Sequence, residues 1–201
     1  MASTTISPKD VSELRARTGA GMMDCKRALE EAAGDMDKAS EILRKKGIAK
    51  AEKRAGRTAS QGLVVSYIHH NDQVGVLLEL NSETDFVARN EAFRQLARDI
   101  ALHIASADPI GVSAEDVPAE LVERERRIAE EQVAAEGKPE AVRAKIVDGK
   151  VKKFIAERTL LEQPYVRDDK KTVGELVKEA SGKLGEVITV KRFARFQVGA
   201  A

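Results

Sequence analysis

Apolar positions in the first third of the chain recur at helical spacing. Ser7-Pro8 reads as an N-cap followed by a first helical residue, and Val11, Leu14 and Thr18 then fall in line until Gly19. After the Gly19-Ala20-Gly21 turn, a second stripe runs through Met22, Cys25, Leu29 and Ala32 to Gly34. Asp35 opens a third, carrying Met36, Ala39, Ile42 and Leu43 and predicted to stop at Gly47. Three short helices with glycine stops predict a miniature bundle. From Arg44 to Arg57 seven basic residues face one acid, Glu52, before the chain passes through Gly56, Ser60 and Gly62. This segment reads as a helix tail and linker, which divides the chain into an N-terminal domain, 1–55, and a larger one, 56–201.

The period then changes from 3.6 to 2. Leu63 to His70, a turn at Asn71-Asp72, and Val74, Val76, Leu78 and Leu80 on one face predict a β-hairpin. Phe93, Leu96, Ala97, Ile100 and Ile104 form a helical stripe that ends before Asp108-Pro109 and is expected to cover the hairpin. Pro118 and Pro139 start two charged helices, which predict a helical hairpin over about 118–160. A short helix at about 172–181 precedes Ile188, Val190, Ala194, Phe196 and Val198, a last strand. Because a lone hairpin is marginal in water, that strand is expected to complete a three-stranded antiparallel sheet. The fold class is α+β: a three-helix bundle plus a core of sheet packed with helices.

At 201 residues and 42% hydrophobic, the chain is long enough to bury a core. Its 34 Lys and Arg nearly balance its 33 Asp and Glu, so no overall field draws it to nucleic acid or an anionic membrane. The opening MASTTISPKD has no apolar signal region, no later stretch approaches a membrane span, and the single cysteine excludes an internal disulfide framework. These features point to a cytoplasmic protein without direct nucleic-acid or membrane partners.

Candidate chemistry is sparse. Gly19-Ala20-Gly21 follows a helix rather than a strand and lacks a third glycine, and Gly182-Lys183 is followed by Leu184, so neither makes a nucleotide site. His69 and His70, adjacent on a predicted strand, should point to opposite faces and cannot share a metal. His103 sits on the flank of a helix stripe, where a structural role is expected. Cys25 lies on an apolar stripe, as a buried inert thiol does. No cofactor, bound metal, covalent catalysis or small-molecule substrate is expected. The basic run from Arg44 to Arg57 suits a solvated helix end; its other reading is a structural RNA-binding protein of the translation apparatus, although no aromatic is interleaved to stack bases. An enzyme using the acids of Glu120 to Glu131 is a third reading, but those carboxylates alternate with Arg124, Arg126 and Arg127 as on a solvated face. NSETDFVARN, 81–90, poses a sharper question. Phe86 and Val87 there are either a hydrophobic staple for the next helix or an exposed wedge.

Four segments, RTGAGMMDCKRALEEAAGD, ELNSETDFVARNEAF, LLEQPYVRDDKKTV and VKRFARFQVG, closely resemble in order those of the bacterial elongation factor Ts family. The resemblance covers nearly the whole chain. It implies a guanine nucleotide exchange factor that releases GDP from elongation factor Tu so that GTP can bind. In that family Thr84, Asp85, Phe86 and Val87 correspond to a segment that inserts beside the partner's nucleotide site and displaces Mg²⁺. The N-terminal bundle resembles a ubiquitin-associated domain, and Arg15, Met22 and Met23 match its contacts with the partner; at least one of the two methionines should be exposed. Between the Phe93 helix and the last strand there is no room for the second core subdomain and coiled coil of longer members. The chain resembles the short form, which implies a homodimer and a 2:2 complex.

Overall fold

The structure is a computed structural model that describes residues 6–54, 56–137 and 139–200. In chain order its elements are α1 (Pro8–Thr18), α2 (Met22–Glu31), α3 (Met36–Glu52), β1 (Gln61–Ile68), β2 (Val74–Ser82), α4 (Asp85–Ala88), α5 (Glu91–Ala107), α6 (Ala119–Ala135), α7 (Glu140–Arg158), β3 (Pro164–Tyr165), β4 (Asp168–Thr172), α8 (Val173–Leu184) and β5 (Ile188–Gln197). The fold is α+β, with a helical bundle at the N-terminus and a three-stranded antiparallel sheet in the order β1-β2-β5. The chain forms two compact units, each described by itself. The first comprises the residues up to Gly62 with 81–94 and 177–189; the second comprises 63–80, 95–176 and the residues from Val190 onward.

In the first unit, Ser7 caps α1 as a capping box. Its hydroxyl accepts from the Asp10 N–H at 3.2 Å, and the Asp10 carboxylate accepts from the Ser7 N–H at 3.2 Å. Gly19, at φ 70°, ends the helix in the left-handed region that glycine occupies without a steric penalty. Asp35 caps α3 by accepting from the N–H groups of Asp37 and Lys38. Val11, Leu14, Cys25, Ala28, Leu29, Ala32, Ala39 and Leu43 form the bundle core.

One expectation fails here: Gly47 does not stop α3, which continues to Glu52. A glycine inside a helix costs about 1 kcal/mol relative to alanine. The helix makes a close crossing with α8 at this place, and the steric demand falls on the α8 side: a Cβ built on Gly182 would lie 2.6 Å from the Gly47 carbonyl oxygen and 2.8 Å from its Cα, whereas one on Gly47 would meet only the Gly182 Cα at 3.8 Å. The ion pairs Arg44–Glu179 and Lys178–Glu52, at 3.3 and 3.2 Å, flank the crossing. The glycine marks a helix contact rather than a helix end.

In the second unit, β2 turns Val76, Leu78 and Leu80 inward and Leu77 outward. The hairpin turn is closed by the His69 N–H donating to the Val74 carbonyl at 2.8 Å. Phe93, at the start of α5 in the first unit, is buried, and the stripe continues in the second with Leu96, Ala97, Ile100 and Ile104. Arg195 of β5 reaches the end of α5, donating to the Ala105 carbonyl at 3.3 Å and pairing with Asp108 at 3.0 Å. Helices α6 and α7 pack through Ala129, Val133, Val147 and Val151. A two-stranded ladder, β3 with β4, and the one-turn helix α4 were not among the expected elements.

His103 is buried in the second unit, where the Val166 N–H donates to its Nδ1 at 3.2 Å. That bond makes Nδ1 the acceptor, so Nε2 carries the proton and donates to Gln163 Oε1 at 3.0 Å. The Gln163 amide in turn donates to the Glu157 carbonyl at 2.9 Å. Burial holds the imidazole below its ordinary pKa, against the opposing pull of the Gln163 bond. The structural role expected of this histidine is therefore a neutral joint between α5, the end of α7 and the β3 region.

Candidate partner-docking site

β2 delivers the chain to Asn-Ser-Glu-Thr-Asp-Phe-Val-Ala. Ser82, the last strand residue, is fully buried, and its hydroxyl donates to the Thr84 carbonyl at 2.9 Å. Thr84 then caps α4, its Oγ1 accepting from the Val87 N–H at 3.4 Å. Asp85 stands in the first turn, where its charge suits the helix dipole, and pairs with Arg89 at 2.9 Å. Asn90 accepts from the Ala92 N–H at 2.8 Å, which starts α5. The single turn is thus closed at both ends.

This geometry separates Phe86 from Val87. Val87 and Ala88 are 5% and 6% exposed, whereas Phe86 is 79% exposed. Phe86 is therefore not a staple, and Val87 is the residue that packs inward. Thr84 and Asp85 are exposed as well. The turn is braced from outside by residues 186 and 187. Glu186 accepts from the Thr84 N–H at 3.0 Å and from its hydroxyl at 2.6 Å, and Glu83 accepts from the Val187 N–H at 2.8 Å. The Val187 N–H, ahead of the Arg57 guanidinium, holds the Glu83 carboxyl below the usual carboxylate range. The sequence reading did not single out Glu83 or Glu186. Glu83 lies inside NSETDFVARN, but nothing in that stretch distinguishes it, and Glu186 stands just before the last strand, where no periodicity or motif marks it.

Arg15, Met22 and Met23 lie in the same compact unit as this turn. Arg15 is exposed on the last turn of α1, and Met22 and Met23 are 58% and 63% exposed at the start of α2. By spacing, Met22 shares a stripe with Cys25 and Leu29, but the buried residues of α2 begin only at Cys25. The first turn of α2 overhangs that core, and both methionines face out. Cys25 itself is fully buried, with its thiol directed to the Ala20 carbonyl.

The basic run is dispersed among acids: Lys45 pairs with Glu41, Lys46 with Glu31, Lys50 with Asp24 and Arg57 with Glu83. Such pairing suits a solvated helix end better than a phosphate-binding strip. His69 and His70 lie just beyond the end of β1 rather than on it, so they do not alternate between sheet faces, and their rings approach to 4.2 Å. Among the described residues, no group of three or more His, Cys, Asp or Glu is placed to hold a metal ion, and no helix is long and apolar enough to cross a membrane.

The sequence pattern of the family described as Elongation factor TS matches residues 7–200, a span that includes the exposed turn, both methionines and nearly all of both compact units. The chain belongs to the elongation factor Ts family. It is accordingly a translation elongation factor. An elongation factor Ts of Thermosipho melanesiensis is 54% identical over 194 residues, covering 96% of this chain and 99% of the relative. Similar proteins of the same name occur in Fervidobacterium nodosum, 53% identical over 96% of this chain and 98% of the relative, and in Oleidesulfovibrio alaskensis, 55% identical over 94% and 96%. These elongation factor Ts relatives match the chain almost end to end.

Proposed function

We propose that this chain is the guanine nucleotide exchange factor of elongation factor Tu. It acts in the cytoplasm without covalent chemistry and without a cofactor of its own. The observation that carries the reading is Phe86: a large apolar side chain, 79% exposed, on a one-turn helix capped at Thr84 and braced by Glu83 and Glu186. Phe86 enters the partner beside its nucleotide site, with Asp85 as the polar group next to it. Thr84 and Val87 hold the turn that presents them. The N-terminal domain, 1–55, docks on the partner through Arg15, Met22 and Met23, whose flexible thioethers suit an adaptable contact.

Magnitudes limit what the wedge does alone. Burying a phenylalanine that starts almost fully exposed stabilises a complex by about 1.5–3 kcal/mol. A thousandfold loss of GDP affinity corresponds to about 4 kcal/mol, and coupling is reciprocal, so GDP must weaken the factor by the same amount. The remainder is assigned to Mg²⁺ held with the nucleotide in the partner, a large local charge whose loss would weaken the hold on the phosphates. The insertion displaces it, GDP leaves, and GTP rebinds.

The core, 56–201, carries the dimer contact. The outer side of the sheet in the second unit exposes Val64, Ile68, Phe196 and Val198, and Ile68, Phe196 and Val198 line one shallow groove. Exposed large apolar side chains gathered at one groove are characteristic of an interface. Two copies covering it give a 2:2 complex with elongation factor Tu.

The test is release of a fluorescent GDP analogue from elongation factor Tu, with and without this chain, across a series of Mg²⁺ concentrations. Exchange by Mg²⁺ displacement predicts strong stimulation at millimolar Mg²⁺ that shrinks when a chelator has already removed the ion. Stimulation undiminished by chelation rejects the Mg²⁺ step, and no stimulation at any concentration rejects the exchange role.

A further inference from the structure

We propose that Glu186 is a positioning residue for Phe86, acting through the hydroxyl of Thr84. The inference rests on the reading of Phe86 as the side chain that enters the partner. A single helical turn has no stability of its own, because nucleation fixes several dihedrals for one hydrogen bond. The direction of Phe86 must therefore be set from outside α4. Glu186 supplies that constraint with both carboxylate oxygens, Oε2 accepting from the Thr84 N–H at 3.0 Å and Oε1 from its hydroxyl at 2.6 Å. The second distance is that of a charge-assisted O–H···O⁻ bond. Because the hydroxyl proton is committed to Glu186, the oxygen turns its lone pairs to the Val87 N–H, and this is the bond that caps α4.

Glu186 is itself held. Its carbonyl accepts from the buried Ser181 hydroxyl, and the next residue, Val187, is buried and donates its N–H to Glu83. Residues 83–84 and 186–187 thus lock each other, each pair supplying a carboxylate to the other's backbone. The helix that ends just before Glu186, α8, is crossed by α3 at Gly47 and Gly182, so the bundle carrying Met22 and Met23 buttresses the same clamp. Glu186 contacts no nucleotide or ion in this account. Its effect is on how Phe86 is aimed at the nucleotide site within the bound complex, and so on the maximal rate.

Glu186→Gln is nearly isosteric but uncharged, and it puts an amide donor in place of one of the two oxygens that accept from the Thr84 N–H and hydroxyl, so the two-oxygen, charge-assisted grip is lost. The experiment is a double-mutant cycle with Phe86→Ala, reading the maximal rate of GDP-analogue release from elongation factor Tu at saturating factor. A merely structural loss lowers the folded fraction and moves the concentration for half-maximal rate, but leaves that maximum unchanged. With Phe86 present, Glu186→Gln is expected to lower the maximum about fivefold, the worth of roughly one net hydrogen bond. In the Phe86→Ala background it is expected to lower it no further. Thr84→Val, which removes the hydroxyl from the other side of the clamp, should behave the same way and serves if the glutamine variant does not fold. An equal drop in both backgrounds overturns the proposal, as does no drop beside a Phe86→Ala variant that is itself impaired. If Phe86→Ala is fully active, the reading of Phe86 fails and the positioning role falls with it.

Discussion

Phe86 and Val87 are neighbours with opposite environments, and the difference is open to measurement. Val87→Ala removes buried methyl groups at about 0.8 kcal/mol for each carbon and should lower unfolding stability by about 1–2 kcal/mol. Phe86→Ala should leave stability within about 0.5 kcal/mol, as surface substitutions do. Denaturant unfolding of the two variants checks both, and a large loss for Phe86→Ala would restore the staple reading. From the sequence the two roles were indistinguishable, because a pair of apolar residues before a helix suits either. Thr84 decides between them by fixing the phase of α4. His103 was legible only as a flank position; its partners come from residues 163 and 166, some sixty positions away, beyond the reach of periodicity. A depressed histidine makes a prediction of definite sign. Below its ordinary pKa of 6.5 the unfolded chain takes up a proton that the folded one refuses. The stability from His103 is complete above that pH and declines as pH falls through it. Urea midpoints at about pH 7.5 and about pH 5.5 should show the loss, and equal midpoints would contradict a neutral buried imidazole.

Helices with a strong apolar stripe were legible nearly to their ends: α1 begins and ends where Ser7-Pro8 and Gly19 place it, and α5 ends at the Asp108-Pro109 break. The failure at Gly47 shows why such rules are local. Gly47 stops no helix because α8, more than a hundred residues later in the chain, brings Gly182 against it. Short elements such as β3, β4 and α4 left no periodic trace for the same reason, being held by tertiary bonds rather than by their own pattern. Gly182→Ala would improve intrinsic helix propensity by about 1 kcal/mol, yet its Cβ would meet the Gly47 carbonyl at 2.6 Å. Overpacking of that kind typically costs about 1–3 kcal/mol, so a lower melting temperature is expected. A higher one would mean that the two helices do not press together in solution.

At the scale of the molecule, fold class and family followed from long, ordered features, whereas the oligomeric state did not. The outward strand residues look like ordinary alternation until Val64, Ile68, Phe196 and Val198 are seen to share exposure near one groove. Replacing both Ile68 and Phe196 by Asp should give a monomer by light scattering at micromolar concentration while the circular dichroism of the fold persists. A wild type that is already monomeric there contradicts the 2:2 assembly. The absence of a nucleotide fingerprint in the sequence agrees with the proposed division of labour, in which the nucleotide site belongs wholly to the partner and this chain contributes binding energy. That claim meets its most direct test in GDP-analogue release from elongation factor Tu driven by wild type and by Phe86→Ala, both at saturating concentration. The account predicts rapid release with the wild type and a maximal rate at least about tenfold lower with the variant, since most of the roughly 1.5–3 kcal/mol of apolar burial is lost. Equal maximal rates would show that exchange does not work through the exposed phenylalanine.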